Sequence, residues 1–366
     1  MNIELSKKEF LKAFTLGGSC AGRTKLLPIL DYVKVIIKNG NVRFSSFDNE
    51  NGISIKMNCN LSGTEDCVFL LPYKDVLSYV KLISDEMFIL IIEDSNITIK
   101  TKKGKATFST LDAKDFPEVG FKEDTQDVDF KSSDLAYYLS NSIKFTNIDE
   151  LRPILNGIYL TNIGGKYNFV ATDSHAMSVI QVDETTDRQD GEISKVFNRN
   201  CIPILLNALK YDDTCIIKVG NTNTTFKIGD TFIISRNIVG VYPNYNAVIP
   251  KNNTLQIALN KKEVADSISR CMLSSSRNMV KLNFSSNGNL EISAEDFELS
   301  KSSIETLALD CNFDLTIGFD AIKFIDCLNS FCSDSVNLSL SNATMAGLFT
   351  CDDNSDLRLL MPLMLN

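Results

Sequence analysis

The chain has 366 residues, a net charge of -9, 44% hydrophobic and 23% charged residues. No run approaches about 18 consecutive apolar residues, and Lys7 and Lys8 sit in an amphipathic opening, so neither a membrane span nor a signal peptide is expected and the protein is expected in the cytoplasm. The acidic balance argues against a uniformly basic nucleic-acid binder, while leaving room for one basic face on an acidic body.

The opening strand pattern Asn2 to Leu5 runs into Ser6-Lys7-Lys8-Glu9-Phe10, where Ser6 and Glu9 have the spacing of a capping box. Phe10, Leu11 and Phe14 mark the buried stripe of this first helix. Val33 to Ile37 and Val42 to Ser45 alternate about Asn39-Gly40-Asn41, the signature of a hairpin. Pro72 to Ile83 reads as a second helix with Val76, Leu77, Val80 and Ile83 on one face. Strand patterns follow at Met87 to Ile92, Ile97 to Thr101 and Ala106 to Thr110, before Asp115-Phe116-Pro117.

The same order then returns. Asp127 to Asn147 is again a short strand followed by a helix, and strands at Ile158 to Leu160, Phe169 to Thr172 and Ser178 to Val182 lead to a helix from about Asn198 to Lys210 that contains Pro203. Gly164-Gly165 reads as a hairpin turn. A third copy begins with Leu255 to Leu259 and a helix capped by Asn260, and continues through Val280 to Phe284, Leu290 to Ser293 and a helix from about Asp320 to Phe331. A recurrence at roughly 126 residues predicts three like domains, 1–126, 127–252 and 253–366, each of α+β class with two helices among seven or eight strands.

The chemistry of an enzyme is hard to find. The one histidine, His175, follows Asp173 and Ser174, but neighbours on a strand point to opposite faces and cannot form a Ser-His-Asp triad. Neither Gly17-Gly18 nor Gly164-Gly165 is followed by Lys-Ser, so no phosphate loop is predicted. The ten cysteines contain no C-x-x-C pair, so zinc and redox centres are not expected and buried free thiols are. No metal and no cofactor is predicted.

Basic residues recur on the helices instead: Lys8, Lys12, Lys74, Lys81, Lys144, Arg199, Lys261, Lys262, Arg270 and Lys323. Each alone is an ordinary solvated charge. Repeated across three domains, they suggest helices gathered to face a phosphate backbone without regard to base sequence. The two ends of the chain also differ in charge, with Lys100, Lys102, Lys103 and Lys105 near the close of the first third and Glu291, Glu295, Asp296 and Glu298 in the last. Head-to-tail pairing of two chains would match them and close a ring.

At Arg152-Pro153-Ile154-Leu155-Asn156-Gly157-Ile158, Val170-Ala171-Thr172-Asp173-Ser174-His175, Tyr242-Pro243-Asn244-Tyr245 and Met361-Pro362-Leu363, the sequence resembles the bacterial sliding clamp family, the beta subunit of DNA polymerase III. Leu27-Pro28-Ile29-Leu30 and Asp115-Phe116-Pro117 extend the resemblance over the whole length. It implies three DNA-clamp domains per chain and a homodimeric ring, helices inside and antiparallel sheets outside, that encircles double-stranded DNA without catalysis. The implied partners are a replicative DNA polymerase and a clamp loader, both bearing short linear peptide motifs.

Carried over from the family, the peptide groove would be walled by Leu155, Thr172, Ser174, His175, Ala176, Met177, Pro243, Ala247, Val248, Leu360, Met361, Pro362, Leu363 and Met364. Such an apolar trough suits leucine or phenylalanine anchors on an extended peptide. The chain departs from the family at Ala176, where an arginine is frequent, and at Met364, and ends with an extra Asn366. The resemblance adds Arg23, Lys25 and the segment Asn147 to Arg152 to the DNA contacts. It sets Lys103, Lys105, Ala106 and Phe108 against Met272, Leu273 and Glu298 at the ring contact. Two rival readings remain, a three-domain scaffold that does not encircle DNA and a hydrolase using Asp173 and His175.

Overall fold

Three times the chain runs a short strand straight into a helix, and each time the first helical N–H is taken up by a carbonyl beyond the second helix of the same repeat. The computed structural model describes residues 1–24, 27–57, 59, 65–93, 95–117, 126–163, 165–182 and 192–365. Its helices are α1 (Lys7–Gly17), α2 (Tyr73–Leu82), α3 (Ser132–Ser142), α4 (Ile202–Ala208), α5 (Lys261–Met272) and α6 (Ala321–Asn329). The N–H of Lys7 donates to Glu86 O at 2.8 Å, that of Ser132 to Asp213 O at 2.8 Å and that of Lys261 to Asp334 O at 2.9 Å. These bonds supply partners for first-turn donors that a helix leaves unmet.

In two of the repeats the same residue adds a second tie. Lys7 Nζ reaches the carbonyls of Lys81 and Ile83 at the end of α2, and Lys261 Nζ reaches Phe331 O at 3.1 Å beyond α6. An ammonium suits the negative end of a helix. Ser132 holds that place in the central repeat.

Two compact units are present, one of residues 1–137 with 197–237 and one of residues 138–196 with 238–366, so the central repeat contributes to both. In the first, Asn2–Ser6, Met87–Ile92, Asn96–Lys100 and Lys105–Ser109 form one antiparallel sheet in that order. A second sheet runs from Gln126–Lys131 through Thr214–Val219, Asn223–Ile228 and Thr231–Ile238 to Asn51–Met57, Asn41–Phe47, Tyr32–Lys38 and Cys67–Pro72. Phe10 stacks on Phe14 at 4.8 Å and meets Phe44 and Phe88 edge-on. Aromatic pairs of this geometry add to the stability that their burial gives.

In the second unit, Gly157–Ile163, Lys166–Thr172, Ala176–Val182, Leu357–Leu360, Gly347–Thr350, Ser335–Leu340 and Leu255–Asn260 form one antiparallel sheet. Lys301–Ala308, Asn289–Asp296, Met279–Ser285 and Leu315–Asp320 form another. α5 and α6 bury Ile268, Phe324 and Leu328 with Phe319 and Phe349 in the core of this unit.

The hairpin at Asn39-Gly40 forms as its sequence predicts, with both residues at positive φ (50° and 73°) as a type I′ turn requires. Asn260 caps α5, its Oδ1 accepting Glu263 N–H at 3.0 Å. The expected capping box at Ser6 is not made: its side chain forms no cap bond. Leu11 is only half-buried, the stripe being completed by Ala13 and Leu16. In the central repeat Pro203 lies in the first turn of α4, and 3₁₀ turns at Arg199–Cys201 and Leu209–Tyr211 extend the helix at both ends. Gly164 lies outside the described residues.

All ten cysteines are free thiols, and three escape full burial: Cys59 and Cys67 are half-buried and Cys332 is exposed. Among the described residues no helix is long and apolar enough to cross a membrane.

Candidate functional site

Asp173, Ser174 and His175 form a tight turn between the strands Lys166–Thr172 and Ala176–Val182, where a strand was expected. Ser174 takes φ 80°, a conformation that a non-glycine residue rarely adopts. The turn is held from inside. Asp173 Oδ1 accepts the N–H groups of His175 at 2.9 Å and Ala176 at 2.8 Å, and Thr172 Oγ1 donates to Ala176 O at 2.8 Å while accepting Ser174 N–H at 3.1 Å. The second oxygen of Asp173 pairs with Lys323 on α6. The carboxylate is therefore committed to backbone and to a lysine.

His175, exposed, turns its carbonyl to the C-terminal tail, accepting Met361 N–H at 2.8 Å. Two residues on, Leu363 N–H donates to Gly318 O at 2.8 Å, which carries the tail along the strand Leu315–Asp320. Between these bonds Met361 and Met364 stand exposed, Met364 by 78%, with Pro362 and Leu363 half-buried. Val248, Pro243 and Ala247 are exposed as well.

Beneath them lies an apolar cluster of Leu155, Val170, Met177, Val179, Tyr242, Tyr245 and Leu359. Tyr159 stacks on Tyr242 at 4.4 Å and shares a 3.0 Å hydrogen bond with Ser194 Oγ. The predicted groove residues thus divide. Thr172, Ser174, His175, Pro243, Ala247, Val248, Met361, Pro362, Leu363 and Met364 are at least partly accessible, whereas Leu155, Ala176, Met177 and Leu360 are buried. At the rim, Arg152 Nη1 donates to Ser174 Oγ at 3.0 Å. The tyrosine trio was not singled out in the sequence, although Tyr242 and Tyr245 frame a proline quoted there.

The helical cations are of two kinds. Lys8, Lys12, Lys74, Lys81, Lys144, Arg152 and Lys262 are exposed. Lys12 Nζ lies 4.7 Å from the centre of the Tyr211 ring, and Arg23, also exposed, donates to Asn200 O at 2.9 Å, one residue from half-buried Arg199. Lys262 pairs with Asp266 one turn on at 2.5 Å. Others are engaged by the protein. Lys261 serves the end of α6, and Arg270 makes a bidentate pair with Glu305, at 2.9 and 2.8 Å. Lys25 lies outside the described residues.

At the residues expected to form the ring contact, Lys105–Ser109 and Lys301–Ala308 are each the last strand of a four-stranded sheet, with an edge unpaired among the described residues. Lys103 and Lys105 are exposed, Ala106 and Phe108 half-buried, and Phe108 meets Tyr79 edge-on at 5.9 Å. Met272 is half-buried, Leu273 78% exposed and Glu298 exposed. Asp296, counted with the acidic surface, is buried instead: its Oδ1 accepts the N–H groups of Glu298 and Leu299, both at 3.0 Å.

Residues 1–120, 138–244 and 246–364 match, in order, the family models for the N-terminal, central and C-terminal domains of the DNA polymerase III beta subunit. The chain belongs to that family. A beta sliding clamp of Pseudomonas aeruginosa is 22% identical over 359 residues, covering 97% of each chain, and one of Vibrio cholerae is 24% identical over 375 residues, covering all of both. The crystal structure of the DNA polymerase III subunit beta from Pseudomonas aeruginosa superposes with a TM-score of 0.92 at 23% identity over 100% of both chains. That of the DNA polymerase sliding clamp from Bacillus subtilis gives 0.90 at 21%, again over 100% of both. The family's three-domain clamp fold, antiparallel sheets with helices, is the fold of this chain.

Proposed function

We propose that two copies of this chain close head to tail into a ring around double-stranded DNA, and that the groove beside Asp173–His175 holds linear peptide motifs of a replicative DNA polymerase and a clamp loader. The sliding-clamp function is the family's, and the reading is one of tethering in the cytoplasm, without cofactor or catalysis. A hydrolase has no support in an Asp173 carboxylate already engaged by two backbone N–H groups and Lys323.

The observation that carries the ring is a repeated junction. Asn51 pairs with Ser235 in the first unit and Ala176 with Leu360 in the second, and in each case the next residue's N–H donates to the carbonyl before the turn ends, Arg236 to Glu50 at 2.9 Å and Met361 to His175 at 2.8 Å. Across the strands, Ser235 faces Thr224, which faces Val219; Leu360 faces Gly347, next to Leu348, which faces Ser339, so the register runs on toward Leu340; and Phe108 faces Ile97, which faces Ile92. Val219, Leu340 and Ile92 each lie opposite the start of their repeat, at Gln126, Leu255 and Met1. Phe108 therefore stands where Ser235 and Leu360 stand. Lys301, opposite Asp296, likewise stands where Asn51 and Ala176 stand.

Two open edges left over from the same junction pattern favour joining one copy's Lys105–Ser109 to the next copy's Lys301–Ala308, with Phe108 across from Lys301. Exposed Lys103 and Lys105 would then approach a strand flanked by Glu298. For the DNA face the proposal keeps Lys8, Lys12, Arg23, Lys25, Lys74, Lys81, Lys144, Arg152, Arg199 and Lys262, and leaves Lys261 and Arg270 to the protein contacts described above.

Light scattering and a topological assay test this together. The expected result is a dimer that stays on circular DNA after loading and is lost when the circle is cut. A stable monomer at micromolar concentration would favour the scaffold reading.

A further inference from the structure

α6 begins at Asp320, whose side chain accepts the N–H of Lys323 at 2.9 Å. From that first turn Lys323 reaches one oxygen of Asp173, while the other oxygen holds the N–H groups of His175 and Ala176. The carbonyl of His175 then accepts Met361 N–H at the root of the tail. One ammonium thus stands behind both walls of the groove. The pair is shielded, the two side chains being 31% and 12% exposed, so little water competes for it.

The first repeat builds the same turn without such a lysine. Asp48 Oδ1 accepts the N–H groups of Glu50 at 3.1 Å and Asn51 at 2.7 Å, and its two oxygens share Asn51 Nδ2, each at 3.3 Å. Third after the capping residue, where α6 has Lys323, the helix after Asn198 has the buried Cys201. A turn of this shape does not need a lysine to form. The lysine is found where the turn borders the groove.

We propose that Lys323 is a positioning residue for peptide docking, acting through Asp173 to fix the turn and the tail at the spacing a peptide requires. This rests on the groove being the docking site. An unpaired carboxylate at Asp173 would draw water and loosen its hold on the two N–H groups, so the walls would drift before the fold fails.

The test uses the full chain, a fluorescein-labelled hexapeptide carrying leucine and phenylalanine, and amide hydrogen exchange. Lys323→Met is expected to weaken the peptide about tenfold and to speed exchange at His175, Ala176 and Met361, with exchange at Phe10 and Phe14 unchanged as a control for folding. Lys323→Arg is expected to restore both, and Asp173→Asn to add nothing further in the Lys323→Met background. Unchanged affinity and exchange in Lys323→Met would overturn the proposal. If the unsubstituted chain ignores the hexapeptide, it is the docking reading that fails, and exchange at the three amides still decides whether Lys323 fixes the turn.

Discussion

Asn49 and Ser174 occupy the same left-handed backbone conformation, φ 81° and 80°, each one residue after an aspartate that ties down its own turn. Asp296 ties down the corresponding turn of the third repeat in the same manner. Replacing Asp48 with alanine leaves two N–H groups without their acceptor and is expected to cost about 1–2 kcal/mol in a urea titration. Asp173→Ala is expected to cost more, because it also strands Lys323.

The two ends of a repeated pattern give a paired test. Asn260→Ala removes a working cap and is expected to lower stability by about 1 kcal/mol, whereas Ser6→Ala removes none and is expected to leave the thermal midpoint within error. A large loss at Ser6 would show a role that its geometry does not indicate.

Arg358 is fully buried and donates to Ser330 Oγ at 2.8 Å, Ser330 O at 3.2 Å and Val179 O at 3.3 Å, with Asp356 3.5 Å away. It joins the strand Leu357–Leu360 to the end of α6. Arg358→Met removes the guanidinium beside the buried Asp356 carboxylate and is expected to cost about 3–5 kcal/mol by denaturant unfolding. Asp356→Asn added to it is expected to recover part of that loss.

Acid sensitivity has a named source. The Arg270 guanidinium holds the Glu305 carboxyl below its ordinary value of 4.5, and Lys262 holds Asp266 below 3.8. Each carboxylate therefore adds stability above its unfolded value, and that contribution is lost as pH falls through the lower folded value. Thermal midpoints measured across this range are expected to fall less steeply in Glu305→Gln than in the unsubstituted chain.

The proposed contact between copies has a definite register. With Phe108 across from Lys301, Ala106 lies across from Ser303, in the place that Ile233 and Ile53 take in the first unit. Ala106→Cys with Ser303→Cys is expected to give a disulfide-linked dimer on mild oxidation. Equal yield from Ala106→Cys with Ser302→Cys would rule the register out.

Local signals were the legible ones. Asn39-Gly40 and Asn260 act within a few residues, so their sequence is sufficient for their geometry. Ser6 shows the limit: its spacing to Glu9 is right, yet its side chain makes no cap bond, and nothing near Ser6 announces the tie of the neighbouring Lys7 N–H to Glu86 O. Lys261 and Arg270 read as free surface charges for the same reason, since their acceptors lie on other elements. A usable signal was present at Asp48, Asp173 and Asp296, one aspartate at the end of the third strand in each repeat. The choice of groove residues came from family motifs, while the tyrosines beside them needed the packing of Tyr159 against Tyr242.

Of the ten thiols, Cys332 alone is exposed, while burial pushes Cys201 and Cys215 up to about 12 and raises Cys20 and Cys327 as well. Thiolate is the reactive form, so a maleimide dye would settle first just past α6, without any engineered cysteine. The unaltered protein therefore carries its own attachment point for following, by fluorescence, what happens near Lys261 and the close of that helix.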